Sequence, residues 1–225
     1  MSQDRNQIRR VTRSKDVAKA SYDRMSKWYD LIAGTSEWKY VKIGLDLLKA
    51  TKGEVVLEIG YGTGKSVLEI ARSIGETGNV HGLDLSEGMQ RIASDRMDKA
   101  GLSERVDLRI GDAVELPFEN DFFDAVFMSF TLELFDTPEI PIVLQECNRV
   151  LQSGGRIVVV AMSKKRKEGL AVRLYEWAHE RLPHYVDCRP IYVTESLSDA
   201  GFQVTERIEM KMWGLPVDAV LAKKA

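Results

Sequence analysis

Three glycines at alternate positions, in Glu58-Ile59-Gly60-Tyr61-Gly62-Thr63-Gly64, join an apolar run to an amphipathic one. EVVLEIG (54–60) has the unbroken apolar character of a buried strand, and VLEIARSI (67–74) sets Val67, Ile70, Ala71 and Ile74 on one helical face. A strand that passes through glycines straight into a helix aims the first helical N–H groups at whatever lies above the turn. Such a turn lets a ligand approach the backbone and favours negative charge at the helix start. It also commits the chain to an α/β architecture, since a strand without a polar face has to be covered on both sides.

The rest of the chain keeps that rhythm. NVHGLDL (79–85) reads as a strand, followed by the helix SEGMQRIASDRMDKA with Ser86 as its N-cap. RVDLRIGD (105–112) and FFDAVFMSF (122–130) are further strands; a helix over 138–152 leads to GRIVVVAMS (155–163). Ahead of the sheet, residues 16–50 read as two helical pieces broken near Gly34. Behind it, KKRKEGLAVRLYEWAHERLP reads as a helix, with a loop and a short helix around 194–200 after it. FQVTERIEMKMW and VDAVLAKK close the chain as an antiparallel hairpin. Residues 1–15 are expected to be a flexible basic leader and 16–225 one domain, with cap helices over 16–50 and an acceptor lid over 164–200.

Spacing separates the families that use glycine turns. A P-loop needs four residues between its first glycine and Gly-Lys-Ser. Gly60 and Gly64 enclose three, so Gly64-Lys65-Ser66 is a decoy. A dinucleotide fingerprint beginning at Gly60 needs its third glycine where Lys65 stands, which disfavours a nucleotide-cofactor oxidoreductase. Acidic-x-G-x-G-x-G fits without adjustment and resembles the first motif of class I S-adenosylmethionine-dependent methyltransferases. The resemblance continues through Asp84 at the end of the second strand, Gly111-Asp112-Ala113 and ELPF after the third, and the fourth strand with RVLQSGGRIVVV. It covers roughly residues 16 to 163 and implies a Rossmann-like, seven-stranded, mostly parallel sheet with helices on both faces and an antiparallel C-terminal hairpin.

It also implies a cofactor, S-adenosylmethionine, and the residues that hold it. The cofactor has no phosphates, but it has a ribose diol for the Asp84 carboxylate to accept from and an adenine amino group suited to Asp112, with the Ala113 N–H beside it. The methionine portion is expected over Gly60, Gly62 and Gly64, with Glu58 ordering the turn or reaching the ammonium through water. Leu85, Met89 and Ser129 complete the expected cofactor site. The front segment SYDRMSKWYDLIAGTSEW resembles the cap of the ubiquinone/menaquinone-biosynthesis C-methyltransferases and of phospholipid N-methyltransferases, in which a tyrosine of a Tyr-Asp pair covers the cofactor. Tyr22 and Tyr29 match that position; as plain core aromatics they need no such role.

The acceptor side is less legible. No Asn-Pro-Pro-Tyr follows the fourth strand, which disfavours transfer to a nucleic-acid amine. Ser129-Phe130-Thr131-Leu132-Glu133 stands there instead, and Glu133 is the candidate base or cation-binding group; a capping or solvated Glu is the plainer alternative. FTLELFD also departs from the Gly-Arg-Asn-rich stretch of the quinone enzymes. Only Cys147 and Cys188 occur, which argues against a disulfide framework, an arsenite methyltransferase and a Cys-rich metal site. His179 and His184 carry no ligand cluster with them, so no metal is expected.

Charge sharpens the partner classes. The formal net charge is −2, but residues 1–20 carry +4, which leaves −6 on residues 21–225. An acidic body is a poor nucleic-acid binder. The leader and Lys164-Lys165-Arg166-Lys167 are where an anionic acceptor or a peripheral membrane contact is expected. No run is long and apolar enough to span a bilayer, and a cytoplasmic setting is expected. The sequence therefore reads as a methyltransferase acting on a small-molecule or lipid-like acceptor, a quinol-type carbon or an amine. A non-catalytic S-adenosylmethionine-binding protein is the alternative.

Overall fold

The computed structural model describes Arg10, Val11, Val17, residues 19–21, Asp23, residues 37–164 and residues 189–225. The elements in chain order are α1 (Trp38–Leu48), β1 (Val55–Ile59), α2 (Lys65–Ser73), β2 (Asn79–Asp84), α3 (Glu87–Ala100), β3 (Val106–Ile110), β4 (Phe123–Ser129), α4 (Glu139–Val150), β5 (Leu151–Met162), α5 (Val193–Asp199), β6 (Phe202–Met212) and β7 (Leu215–Lys224). Seven strands form one sheet in the order β3-β2-β1-β4-β5-β7-β6. β1 to β5 are parallel, and β7 enters antiparallel between β5 and β6. The expected architecture is thus the observed one.

The alternation of side chains along each strand divides the core into two layers. Val56, Val80, Phe127, Val158 and Val160 face α1, α2 and α3. Leu57, Ile59, Val126, Met128, Val159 and Ala161 face α4 and α5. α4 shows how the sequence achieves this. Ile140, Val143, Leu144, Cys147 and Val150 recur at helical spacing and are buried, while Pro141, Ile142 and Gln145 are exposed on the other side. Phe127, fully buried at the sheet centre, stands for the whole: truncation to Ala there costs about 3–5 kcal/mol.

Two features of the chain differ from the sequence reading. β5 begins at Leu151 rather than 155, because Leu151 pairs with Phe123 across a register shift before the regular ladder resumes at Arg156 opposite Ala125. Residues 189–200, expected within a lid, belong to the body of the fold. The Ile191 N–H donates to the Met162 carbonyl, and Ile191, Val193 and Leu197 are buried in the second layer. The remainder of the expected lid helix lies outside the described residues, with His179, His184 and Cys188. Of the expected leader, Arg10 and Val11 are described, and both are held by Asp136. Arg10 Nε lies 2.8 and 2.9 Å from its two oxygens, and the Val11 N–H donates at 2.9 Å.

Candidate functional site

The strand order reverses direction between β1 and β4, and open α/β sheets present their ligand crevice at the carboxyl ends of strands at such a switch point. The glycine turn sits there. Gly60, Gly62 and Gly64 take φ of +74°, +52° and +76°, a left-handed backbone that favours glycine. Each link of the turn is tied down. The Gly60 N–H donates to the Leu83 carbonyl at 2.7 Å and the Gly64 N–H to the Tyr61 carbonyl at 2.9 Å. Arg96 of α3 donates to the Thr63 carbonyl at 2.5 Å.

The three glycines have different surroundings. A methyl on Gly60 would lie 2.2 Å from Thr131 Oγ1, and one on Gly64 would lie 2.9 Å from Ala93 Cβ; above Gly62 there is open space. At Gly60 and Gly64 a neighbouring side chain, as well as the backbone conformation, excludes a Cβ. Only the face of Gly62 is free.

Carboxylates gather around this face. Asp84 closes β2 and accepts from the Gly62 N–H and the Ser86 N–H, each at 2.9 Å. Burial raises its pKa, against the pull of those N–H donors. Glu58 is buried inside β1; one oxygen accepts from Ser66 Oγ, and Oε2 has no partner. Burial pushes the Glu58 carboxyl up to about 8, with the nearby Asp84 charge adding to the effect. Its bond to Ser66 joins β1 to the first turn of α2 across the glycine turn. Leu85 is partly buried beside Asp84, and Met89 is buried in the first turn of α3. Asp112 accepts from the Val114 N–H at 3.2 Å, and Ala113 is buried.

Ser129 ends β4, and its carbonyl accepts from Thr131 Oγ1 at 2.9 Å. Phe130 follows with φ of +50°, a left-handed conformation uncommon for a bulky residue. It swings the chain so that Thr131 packs on Gly60 and Glu133 turns inward. Glu133 is neither capping nor solvated: it is completely buried. Its Oε1 accepts from the Met162 N–H at 3.1 Å, and Oε2 has no partner. Burial pushes this carboxyl, too, up to about 8. Arg189, itself buried, opposes that rise by its charge while donating to Thr137 Oγ1 at 3.0 Å and to the Phe135 carbonyl. Lys164 is 7% exposed, so it does not offer the solvent-facing charge that the basic run suggests.

Tyr22 and Tyr29 lie outside the described residues, but Asp23 does not. Asp23 Oδ1 accepts from Ser86 Oγ at 2.5 Å and from the Gly88 N–H at 2.8 Å, and Lys19 pairs with Glu87 at 2.8 Å. Partial desolvation acts upward on Asp23, yet those donors and the Lys19 and Arg91 charges hold its pKa below the usual carboxylate range. Asp23 and Lys19 are thus held at the start of α3, where Ser86 stands two residues from Asp84. Sequence reasoning gave the Tyr-Asp pair a role through its tyrosine and missed the aspartate. It missed Thr131, Asp136 and Arg189 as well. Among the described residues no group of three or more His, Cys, Asp or Glu side chains is placed to hold a metal, and no helix is long and apolar enough to cross a membrane.

Comparison with known proteins bears on the family and the fold. Residues 3–187 match the profile of the ubiE/COQ5 methyltransferase family. A demethylmenaquinone methyltransferase of Staphylococcus aureus (strain JH9) is 32% identical over 155 residues, 67% of this chain and 62% of the relative's length. Among solved structures, a [4+2]-cyclase, SpnF, superposes with a TM-score of 0.75 at 19% identity, covering 94% of this chain and 97% of that one. An S-adenosylmethionine-dependent methyltransferase of Aquifex aeolicus gives 0.68 at 22% identity, covering 90% and 98%. At these identities the two structures speak for the fold.

Proposed function

The chain belongs to the ubiE/COQ5 methyltransferase family, and on that premise we propose that it transfers a methyl group from S-adenosylmethionine to a small-molecule or lipid-like acceptor, a quinol-type carbon or an amine. The observation that carries this reading is the open face of Gly62 beside the Asp84 carboxylate. A phosphate ligand would meet the Asp84 carboxylate there, with Asp112 beyond the end of the neighbouring strand. A cationic, phosphate-free ligand with a ribose diol meets partners instead.

The residues present fit that cofactor. Asp84 has lone pairs left for the ribose hydroxyls after its two backbone bonds. Asp112 and Ala113 suit the adenine, and Glu58, whose Oε2 has no partner, is proposed to order the turn or to reach the cofactor's ammonium through water. When bound, the cofactor supplies a methyl group on a positively charged sulfur, an electrophile that needs orientation and a water-poor site more than it needs protein chemistry. Tyr22 and Tyr29 complete the proposal as residues covering the cofactor. Leu85, Met89 and Ser129 line it. Glu133, whose buried carboxyl is raised to about 8, is proposed to take the acceptor's proton when it is itself ionised, so that turnover should rise with pH toward 8.

Calorimetry with S-adenosylmethionine, S-adenosylhomocysteine and NAD tests the cofactor. Binding of the two sulfur ligands and not of NAD is expected; binding of NAD alone overturns the reading. Asp84→Asn should weaken the sulfur ligands by about 2–4 kcal/mol, as two charge-assisted hydrogen bonds are lost. Methyl-labelled cofactor in cell extract tests turnover. Label in lipid or quinone supports the acceptor class, and label confined to protein or RNA refutes it. Tight cofactor binding with no label transferred would make the chain a binding protein on a methyltransferase fold.

A further inference from the structure

The outer edge of the sheet ends in a surface that plays no part in the site described above. β6 and β7 meet in a tight turn at Trp213-Gly214, between Met212 and Leu215. β7 runs antiparallel to β5, with Val217 opposite Met162, so this tip stands at the end of the sheet that carries the glycine turn. Trp213 is 73% exposed, and its φ of +50° holds it in a left-handed turn that a small residue would occupy more easily. No other large hydrophobic among the described residues stands so far into solvent.

Lysines surround it. Lys211 lies two residues before Trp213, and Tyr40 Oη donates to the Lys211 carbonyl at 2.5 Å. That bond seats the start of α1 against the tip, bringing Trp38, Lys39 and Lys42 alongside. Lys39 Nζ lies 4.6 Å from the Tyr40 ring centre, and Lys42 Nζ lies 5.8 Å from that of Trp38. Lys39, Lys42 and Lys211 are exposed, and among the described residues none is paired with a carboxylate. The acids on these segments are otherwise engaged or placed: Glu209 bonds Arg207 at 3.2 Å, Glu37 is partly buried, and Asp46 lies toward the far end of α1.

We propose that this tip docks on an anionic lipid surface, with Trp213 entering the interface and Lys39, Lys42 and Lys211 facing the headgroups. A single exposed apolar side chain needs no partner. What selects lipid is an outward indole at the tip together with exposed ammonium groups on long apolar stems on the adjoining segments. None of these is paired with a carboxylate among the described residues, and the combination is the chemistry of a bilayer's interfacial zone. Docked this way, the carboxyl ends of the parallel strands lie toward the membrane, where a lipid-like acceptor would be met. The docking does not depend on that acceptor, because vesicle binding requires neither cofactor nor turnover.

Co-sedimentation with vesicles tests it. At low salt the protein should bind phosphatidylcholine containing about one-third phosphatidylglycerol, not phosphatidylcholine alone, and should release at about 0.5 M NaCl. Lys39→Glu, Lys42→Glu and Lys211→Glu combined should lower the partition coefficient at least about tenfold. Trp213→Asn, chosen because Asn tolerates the left-handed backbone, should lower it about as much and remove the fluorescence blue shift on binding. Lys52→Glu, Lys99→Glu and Lys223→Glu, exposed lysines at the opposite end, form the charge-matched control and should change it little; circular dichroism checks that each variant folds. Anionic-vesicle binding that ignores the tip variants, or that the control lowers equally, overturns the proposal. So does a change of mass in light scattering with vesicle binding intact, which would make the tip a protein interface. Vesicle binding without label transfer would count against the proposed activity and leave the docking standing.

Discussion

Gly60, Gly62 and Gly64 look equivalent in the sequence and are not equivalent in space. A methyl on Gly60 would collide with Thr131, and one on Gly64 with Ala93, while Gly62 faces open space. Gly60→Ala should therefore destabilise the fold by about 2–4 kcal/mol, backbone strain and overpacking together. Gly62→Ala should cost only about 1 kcal/mol of strain but weaken S-adenosylhomocysteine at least tenfold. Urea melts and calorimetry on the two variants check this, and equal stability losses with unchanged affinity would place the ligand elsewhere. Glu58 and Glu133 make a second pair, each buried with a partnerless oxygen and a carboxyl raised to about 8. The native state then holds protons that the unfolded chain has released, so stability falls as pH rises from the unfolded value near 4.5 through about 8. Each group contributes a slope of up to about 1.4 kcal/mol per pH unit within that window. Glu133→Gln, neutral throughout, should flatten the fall in unfolding free energy across those pH values; an unaltered slope would mean that its carboxyl is ionised in the fold.

The start of α3 is the element on which the N-terminal segment depends. Ser86 caps it by accepting from the Met89 N–H at 3.1 Å, and its hydroxyl also donates to Asp23. Ser86→Ala should cost about 1 kcal/mol for the lost cap. Asp23→Asn keeps the cap but removes a negative charge from the helix start, so its effect should fall on the segment rather than the core. Trypsin cleavage after Lys19 should accelerate several-fold in Asp23→Asn while the urea midpoint moves little; an unchanged cleavage rate would show that Asp23 does not hold the segment. This contact illustrates what the sequence discloses and what it hides. Periodicity found every strand, and spacing found the glycine turn with Asp84 and Asp112 at neighbouring strand ends. Those are local patterns, fixed by the two-fold and 3.6-fold repeats of side chains. Asp23 meeting Ser86, Thr131 filling the space over Gly60 and Arg189 bonding the Phe135 carbonyl are contacts across 63, 71 and 54 positions. No repeat announces them. The start of β5 was misplaced for a related reason, since Gln152-Ser153-Gly154-Gly155 reads as a turn and only the pairing of Leu151 with Phe123 makes it strand.

At the scale of the whole molecule, groups from separate parts of the chain converge at one end of the sheet. The glycine turn comes from β1 and α2, Asp84 from β2, Asp112 from the segment after β3, Glu133 from beyond β4, and Asp23 reaches α3 from near the N-terminus. Asp84 is buried with only backbone N–H donors to offset its charge, so the cationic ligand proposed here would relieve unfavourable charge as well as add contacts. A ligand held by residues from so many elements binds the folded chain and not the unfolded one, and its binding free energy appears as stability. At a concentration about 100 times its dissociation constant, S-adenosylhomocysteine should stabilise the fold by about 2.7 kcal/mol. For a chain of this length that corresponds to a rise in Tm of about 5–10 °C. The same measurement on Asp84→Asn should show a much smaller rise from its own, lower baseline, because the ribose contacts are weakened and one of the Gly62 and Ser86 N–H groups loses its acceptor. Thermal melts with S-adenosylhomocysteine and with NAD decide the matter. A rise with NAD and none with S-adenosylhomocysteine would mean that the acids at this end serve a different ligand.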